Sequence, residues 1–290
     1  MVYNPQSGKK MLAHKAWLEK NAIERQIKLQ WYATCGCFER DLAQLMCLIK
    51  QQHQVTVLGG DGTLNLAINA MLCVKESVLV DAKKSVALLP CGTGNDFARQ
   101  FGYSMEQWRA AVFADTTCRV DVGQVDRRYF INMAGVGFSA EVVSAMAGKK
   151  RFGALSYTFT GIAKLFFYKG VTVSVDGVEQ RVLMSLFANG RHFAAGLTPA
   201  PSAEVSDGQL QMVTIPNVAW HKRLLSFALM LFGLHTKLSW VKVHSGSSFK
   251  ITSSNICVEA DGDLIATTPA LVKCNAASLR LKVPSLNGPV

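Results

Sequence analysis

Two glycine-bearing turns, each set directly behind a short apolar run, constrain this chain more than any other feature. Val55-Thr56-Val57-Leu58 leads into Gly59-Gly60-Asp61-Gly62-Thr63, and Val86-Ala87-Leu88-Leu89 into Pro90-Cys91-Gly92-Thr93-Gly94-Asn95-Asp96. Apolar runs of this length bounded by turn residues read as strands buried on both faces. Leu64, Ala67, Ile68 and Met71 then follow the first turn at helical spacing. Strand, glycine turn and helix in succession is the grammar of a parallel, doubly wound sheet, which takes its ligands beyond the carboxyl ends of the strands. Glycine lets the backbone approach a ligand closely, and a helix N-terminus offers unpaired N–H groups to phosphate. Asp61 and Asp96 add a carboxylate to each turn, as a metal ion or a proton transfer would require. Taken alone, Asp96 reads first as a helix N-cap, and pairing with Asp61 makes it a site candidate.

The rest of the first part agrees. Val2-Tyr3 ends at the turn Asn4-Pro5-Gln6-Ser7-Gly8, a helix is expected from about Met11, a strand over Lys28–Ala33 and a helix over Phe38–Lys50. Neither turn is a GxxxxGK[ST] phosphate loop or a GxGxxG dinucleotide fingerprint. After Asp121 the pattern changes to short β-like runs, among them Val171–Val175, Val182–Phe187, Leu210–Ile215, Trp240–Val243, Phe249–Ile251, Ile256–Val258 and Leu279–Val283. Helical stretches interrupt at about 138–147, 154–168 and 219–234. The reading is α/β: a nucleotide-type parallel-sheet domain over 1–122, then a mainly antiparallel, sandwich-like domain with helices over 123–290. No Pro- or Ser-rich linker separates them, so a tight hinge and an active-site cleft between the domains are expected.

Composition narrows the partners. With 49% hydrophobic residues the chain can bury real cores. Up to residue 122 it has 14 basic and 11 acidic residues, and beyond it 17 and 9, so the second part carries +8 of the formal +11. Such an excess suits an anionic partner. The longest apolar run, Leu224–Leu234, is 11 residues and too short to span a bilayer. Eight cysteines with no CxxC pair fit reduced thiols in a cytoplasmic protein. Cys35-Gly36-Cys37 lacks a second pair to complete a metal site, and the histidines show no ligand spacing.

The two turns together, GGDGT at Gly59–Thr63 and PxGTxNDFAR at Pro90–Arg99, resemble the bacterial diacylglycerol kinase and sphingosine kinase family of soluble lipid kinases. Asn4–Gly8 is similar to the family's NPxSG turn, and Thr34 matches a threonine of its nucleotide site. Asp121-Val122-Gly123 with Phe130-Ile131-Asn132 fits the domain junction, Ala203–Leu210 the AxxxDGxL segment, and Glu259–Asp263 before Thr268-Pro269 the DGE segment, here DGD. The resemblance covers nearly the whole chain. It implies ATP held by Asn4, Pro5, Gln6, Ser7, Gly8, Thr34, Gly59, Gly60, Asp61, Gly62, Thr63, Leu64, Asn65, Gly92, Thr93, Asn95 and Asp96. It also implies catalytic Mg²⁺ organised by Asp61 and Asp96, and a structural Mg²⁺ near Glu204, Asp207 and Gln209. The proton of the acceptor hydroxyl would go to Asp261 or Asp263. Asp-Gly is also a favoured hairpin pair, which leaves Asp263 the freer of the two.

The expected acceptor is diacylglycerol, with a sphingoid base or another lipid alcohol second, met peripherally at an anionic membrane surface. Lys149-Lys150-Arg151 before Phe152–Tyr168, and Lys222-Arg223 within Trp220–Leu234, are the candidate interfacial elements, unless both stretches are core helices. Nucleic acid is not expected, and a homodimer remains open. An NAD kinase, which shares GGDGT, and a catalytically silent lipid-binding protein of the same fold are the rival readings.

Overall fold

The computed structural model describes residues 1–77, 84–146, 165–194 and 196–285. The chain divides into two compact units: Met1–Val120 together with the stretch from Ala277 onward, and Asp121–Ala276. The sequence reading kept everything after residue 122 in the second domain. The difference lies in the last strand, whose apolar Leu279 and Leu281 are buried in the first unit.

The first unit is built on β1 (Val2–Tyr3), β2 (Tyr32–Ala33), β3 (Gln54–Gly59) and β4 (Ser85–Pro90), joined by the end of β15 (Ala270–Lys282). Their order is β2-β1-β3-β4-β15 and every pairing among them is parallel, with Leu281 opposite Val86. Residues Val55–Gly59 and all of β4 are buried, which is why both appear as unbroken apolar runs. Helices α1 (Gly8–Glu24), α2 (Phe38–Ile49), α3 (Asp61–Ser77), α4 (Asp96–Arg99) and α5 (Met105–Phe113) complete the unit. They bury Leu18, Leu45, Ile68 and Trp108, among others. The strand expected over Lys28–Ala33 shrinks to Tyr32–Ala33 because its neighbour β1 has only two residues to pair with. From β1 the chain steps one way to β2 and then back to the other side for β3, so the switch point of the sheet lies between β1 and β3.

The second unit is mainly antiparallel. Its strands are β5 (Thr117–Val125, entering from the first unit), β6 (Arg128–Phe130), β7 (Met133–Gly137), β8 (Val171–Val175), β9 (Val178–Ala188), β10 (Leu210–Pro216), β11 (Lys242–Gly246), β12 (Ser248–Ile251), β13 (Cys257–Ala260) and β14 (Asp263–Thr267). The first half of β9 pairs with β8, and its second half lies between β7 and β10. One core gathers Phe130, Phe187, Phe249 and Val272; a second gathers Met133, Phe138, Leu183 and Ile215. Helix α6 (Phe138–Met146) contributes Phe138 to the second core, and α7 (Trp220–Met230) contributes Met230. β7 escaped the sequence reading because Met-Ala-Gly-Val-Gly carries two glycines, although every residue of it is buried.

Arg223 corrects an expectation. Its neighbour Lys222 is exposed, but a helix turns about 100° per residue, so adjacent side chains leave in different directions. The Arg223 guanidinium is buried and donates to the carbonyls of Val218, Leu165 and Tyr168 and to Asn217 Oδ1 at 2.7–2.9 Å. It is an internal staple, not a membrane contact. Lys149-Lys150-Arg151 and 152–164 lie outside the described residues. Arg223→Ala should cost about 3 kcal/mol, because buried carbonyls lose their donor. Lys222→Ala, which removes only a cation above the Trp240 ring, should cost about 1 kcal/mol or less. Urea denaturation of the two variants reads the difference.

Candidate active site

Four strand ends lie side by side in the first unit. Tyr3 is level with Ala33 and with Leu58, and Gly59 with Pro90. Main-chain bonds carry the alignment past the strands: Thr34 N–H to Tyr3 O at 2.9 Å, and Cys91 N–H to Gly59 O at 3.0 Å. The turns after β1, β3 and β4, and Thr34 after β2, therefore open at one edge of the sheet. Asn4 Oδ1 accepts from Gln6 N–H at 2.9 Å and shapes the first turn, and Gly8, at φ +73°, passes the chain into α1. The N-termini of the 17-residue helices α1 and α3 both begin here.

The second and third turns interlock. A Cβ on Gly92 would sit 2.4 Å from Gly60 Cα, so only glycine allows this approach of two backbones. Asn95, at φ +53°, closes the third turn on itself: its Oδ1 accepts from Gly92 N–H and its Nδ2 donates to Gly92 O, both at 2.9 Å. Asp61 bridges the turns, its two oxygens accepting from Asp96 N–H at 3.0 Å and Phe97 N–H at 2.9 Å. Asp96 is buried beside it. Gly62 and Thr93 face solvent, and a side chain on Gly62 would meet nothing within 4 Å. Thr63 and Leu64 are buried, as Gly59 and Asp96 are, with Thr63 packing back onto Gly59 and Leu64 into the interior. Asn65 is held by Asn69, whose Nδ2 donates to its carbonyl and Oδ1.

The second unit presents the acidic hairpin. Asp261 and Gly262, at φ +47° and +87°, form the two-residue turn between β13 and β14, with Ala260 opposite Asp263. The Asp261 carboxylate accepts from the N–H groups of Ile131, Asn132 and Met133 at 2.7, 3.0 and 3.2 Å. It is thereby committed to the β6–β7 connection. Asp263 is exposed at the start of β14. Two residues before Asp261 stands Glu259, which sequence reasoning left without a role. It is fully buried, and burial pushes its carboxyl up to about 8. Its place inside the acidic hairpin segment was the available signal, because a register shift between Val258 and Glu259 breaks the strand alternation that would otherwise have marked it.

The loop proposed for a structural metal is closed by Asp121, whose N–H donates to Val205 O and whose Oδ2 accepts from Gly208 N–H, both at 2.7 Å. Asp207 Oδ1 accepts from Gln209 N–H at 2.9 Å, and Glu204 lies 3.9 Å from the Arg191 guanidinium. Among the described residues no group of three or more His, Cys, Asp or Glu side chains is placed to hold a metal ion.

Residues 1–125 match the diacylglycerol kinase catalytic domain, and residues 132–283 the YegS C-terminal NAD kinase beta sandwich-like domain. A crystal structure of a diacylglycerol kinase from Bacillus anthracis str. Sterne shares the fold, with a TM-score of 0.71 at 17% identity over 97% of this chain and 95% of that one. A Pseudomonas putida protein named "Probable lipid kinase YegS-like" is 31% identical over 269 residues, 89% of this chain and 85% of the relative. A Mycobacterium tuberculosis protein named diacylglycerol kinase is 28% identical over 250 residues, 81% and 78% of the two chains. The catalytic-domain match together with these relatives places the chain in the class of ATP-dependent lipid kinases. Within that class the chain belongs to the YegS-like lipid kinase family.

Two measurements check the geometry. Gly92→Ala should disturb the turns themselves, lowering both the melting temperature and kcat/KM for ATP, the latter by about tenfold or more, on the order of 1.4 kcal/mol. Gly62→Ala should leave the melting temperature alone and raise KM for ATP, because its new methyl meets only the ligand. Separately, Glu259 keeps its proton in the folded chain at pH values where an unfolded glutamate, near 4.5, has lost it. The folded state then binds the extra proton, so stability falls as pH rises from about 5 to 8. Thermal melting of Glu259→Gln should lack that component of the fall.

Proposed function

We propose that the acceptor is diacylglycerol, phosphorylated at its free hydroxyl to phosphatidic acid as a step of phospholipid biosynthesis. The name of the Mycobacterium tuberculosis relative supports this choice. The observation that carries the chemistry is the open space at Gly62 beside Asp61, at the meeting of two helix N-termini and the Gly60–Gly92 contact. On this reading the turns at Asn4–Gly8, Gly59–Asn65 and Gly92–Thr93 hold the nucleotide phosphates by main-chain N–H groups. Asp61 and Asp96 would hold the metal that accompanies the nucleotide, and Asp207 with the carbonyls of Glu204 and Gln209 would hold a structural one. Mg²⁺, when bound, neutralises charge on the phosphates. The lipid oxygen attacks the γ-phosphorus of ATP as its bond to the β–γ bridging oxygen breaks, ADP leaves, and the hydroxyl proton goes to a carboxylate. Asp263 suits that role because Asp261 is already engaged by three N–H groups.

The lipid is reached at an anionic membrane surface. Phe166, Phe167, Trp220, Leu225, Leu231, Phe232 and Leu234 are all exposed on the second unit, with the Phe166 and Trp220 rings 5.8 Å apart. Lys169, Lys222 and Lys237 are exposed among them. Large apolar side chains next to ammonium groups suit the boundary between acyl chains and acidic headgroups. No helix of the described residues is long and apolar enough to cross a membrane, so the contact is peripheral.

Purified protein with labelled ATP should transfer label to diacylglycerol in mixed micelles. Label entering a sphingoid base or NAD, and not diacylglycerol, overturns the substrate assignment. Asp263→Asn should lower kcat by about 10²–10⁴-fold with little change in melting temperature, and Asp263→Glu should be tolerated. Asp261→Asn should act mainly through stability. Parental kcat in Asp263→Asn would remove Asp263 from the chemistry.

A further inference from the structure

Glu259 is an expensive residue to bury. Its Oε1 has no hydrogen-bond partner, and its Oε2 receives only Gly262 N–H, at 3.4 Å. An apolar side chain would fill the space between β7, β13 and α6 without that cost. The surroundings are cut to fit the carboxyl. Gly135 is opposite Glu259 on β7, and a Cβ there would lie 3.0 Å from Glu259 Oε1 and 2.4 Å from Ser139 Oγ. Ser139, on α6, is the nearest hydroxyl, though not aligned as a full hydrogen bond.

What the carboxyl touches is the acidic hairpin. The turn is fastened at two points: Asp261 by the β6–β7 main chain, and Gly262 by Glu259 Oε2. Asp263 follows immediately, so its place depends on both fastenings. We propose that Glu259 is a positioning residue that sets the Asp261-Gly262 turn and through it aims Asp263 at the acceptor hydroxyl. The proposal rests on the reading of Asp263 given above.

Charge is the reason neutrality matters. From the turn and β14, Glu259 is faced by Asp261 and Asp263, both of which oppose its ionisation. From β7 it is faced by Gly135, with no side chain, and from α6 by the neutral Ser139. The other acid of α6, Glu141, acts on Tyr168 instead. Loss of the proton, near pH 8, would put a third negative charge into the hairpin and push Asp263 from its place.

The test is kcat on diacylglycerol from pH 6 to 9.5, at saturating ATP, for the parent, Glu259→Gln, Glu259→Asp and Asp263→Asn. The parent should lose activity above about pH 8, and a flat parental profile to pH 9.5 overturns the proposal without any variant. Glu259→Asp, whose shorter side chain withdraws from Gly262, should lose about tenfold or more in kcat with KM for ATP unchanged. Glu259→Gln, neutral and of the same shape, should recover that loss and remove the alkaline fall. Aspartate active and glutamine dead would show that the group moves a proton itself, and would overturn a positioning role. An alkaline limb in Glu259→Gln that coincides with the parental one also overturns it. Failure of the Asp263 reading is seen separately, as parental kcat in Asp263→Asn.

Discussion

Two main-chain N–H groups, those of Asp96 and Phe97, converge on the carboxylate of Asp61, which belongs to a different strand and a different helix. A four-residue helix has little cohesion of its own, and a negative charge at its N-terminus supplies what hydrogen bonding within it does not. The clamp brings Gly92 against Gly60, and that contact in turn sets where Thr93 and Asn95 stand. Removing the carboxylate would therefore alter the phosphate side of the site through geometry as well as through charge.

The same device recurs through the molecule. Asp41 receives Cys35 and Gly36 N–H, Asp121 receives Gly208, Asp126 receives Leu271, Asp176 receives Lys250, and Asp261 receives three donors from the β6–β7 connection. Several acidic side chains of this basic chain thus tie one connection to another, Asp41 and Asp121 from buried positions and Asp126 and Asp176 from exposed ones. Glu259 stands apart: a buried acid with one long contact, whose protonation replaces the donors that its counterparts enjoy.

The first unit was legible because Val55–Leu58 and Val86–Leu89 are buried on both faces, so the sequence there is unbroken hydrocarbon ending in glycine. Asp61 and Asp96 could be singled out by pairing, but the bonds that Asp61 makes could not, since they depend on how two turns meet in space. Lys222-Arg223 shows the opposite limit. Adjacent basic letters concealed one exposed ammonium and one buried guanidinium. Glu259 was hidden by a register shift between Val258 and Glu259, which leaves Val258, Glu259 and Ala260 buried in succession and erases the alternation that would have flagged it. The compact unit that the final strand joins was not legible, because a run such as Leu279–Val283 states that it is buried, not in which unit.

That returning strand also orders events in time. Val86 lies in the first third of the chain, and its neighbour in the sheet, Leu281, is polymerised only after the whole of the second unit. On the ribosome the parallel sheet must wait with one flank open while the β unit emerges and folds. Contacts so distant in sequence are slow to form, and an exposed strand edge invites association with other chains in the meantime. A nascent chain of this kind completes its nucleotide-binding half late in translation, although that half is encoded first.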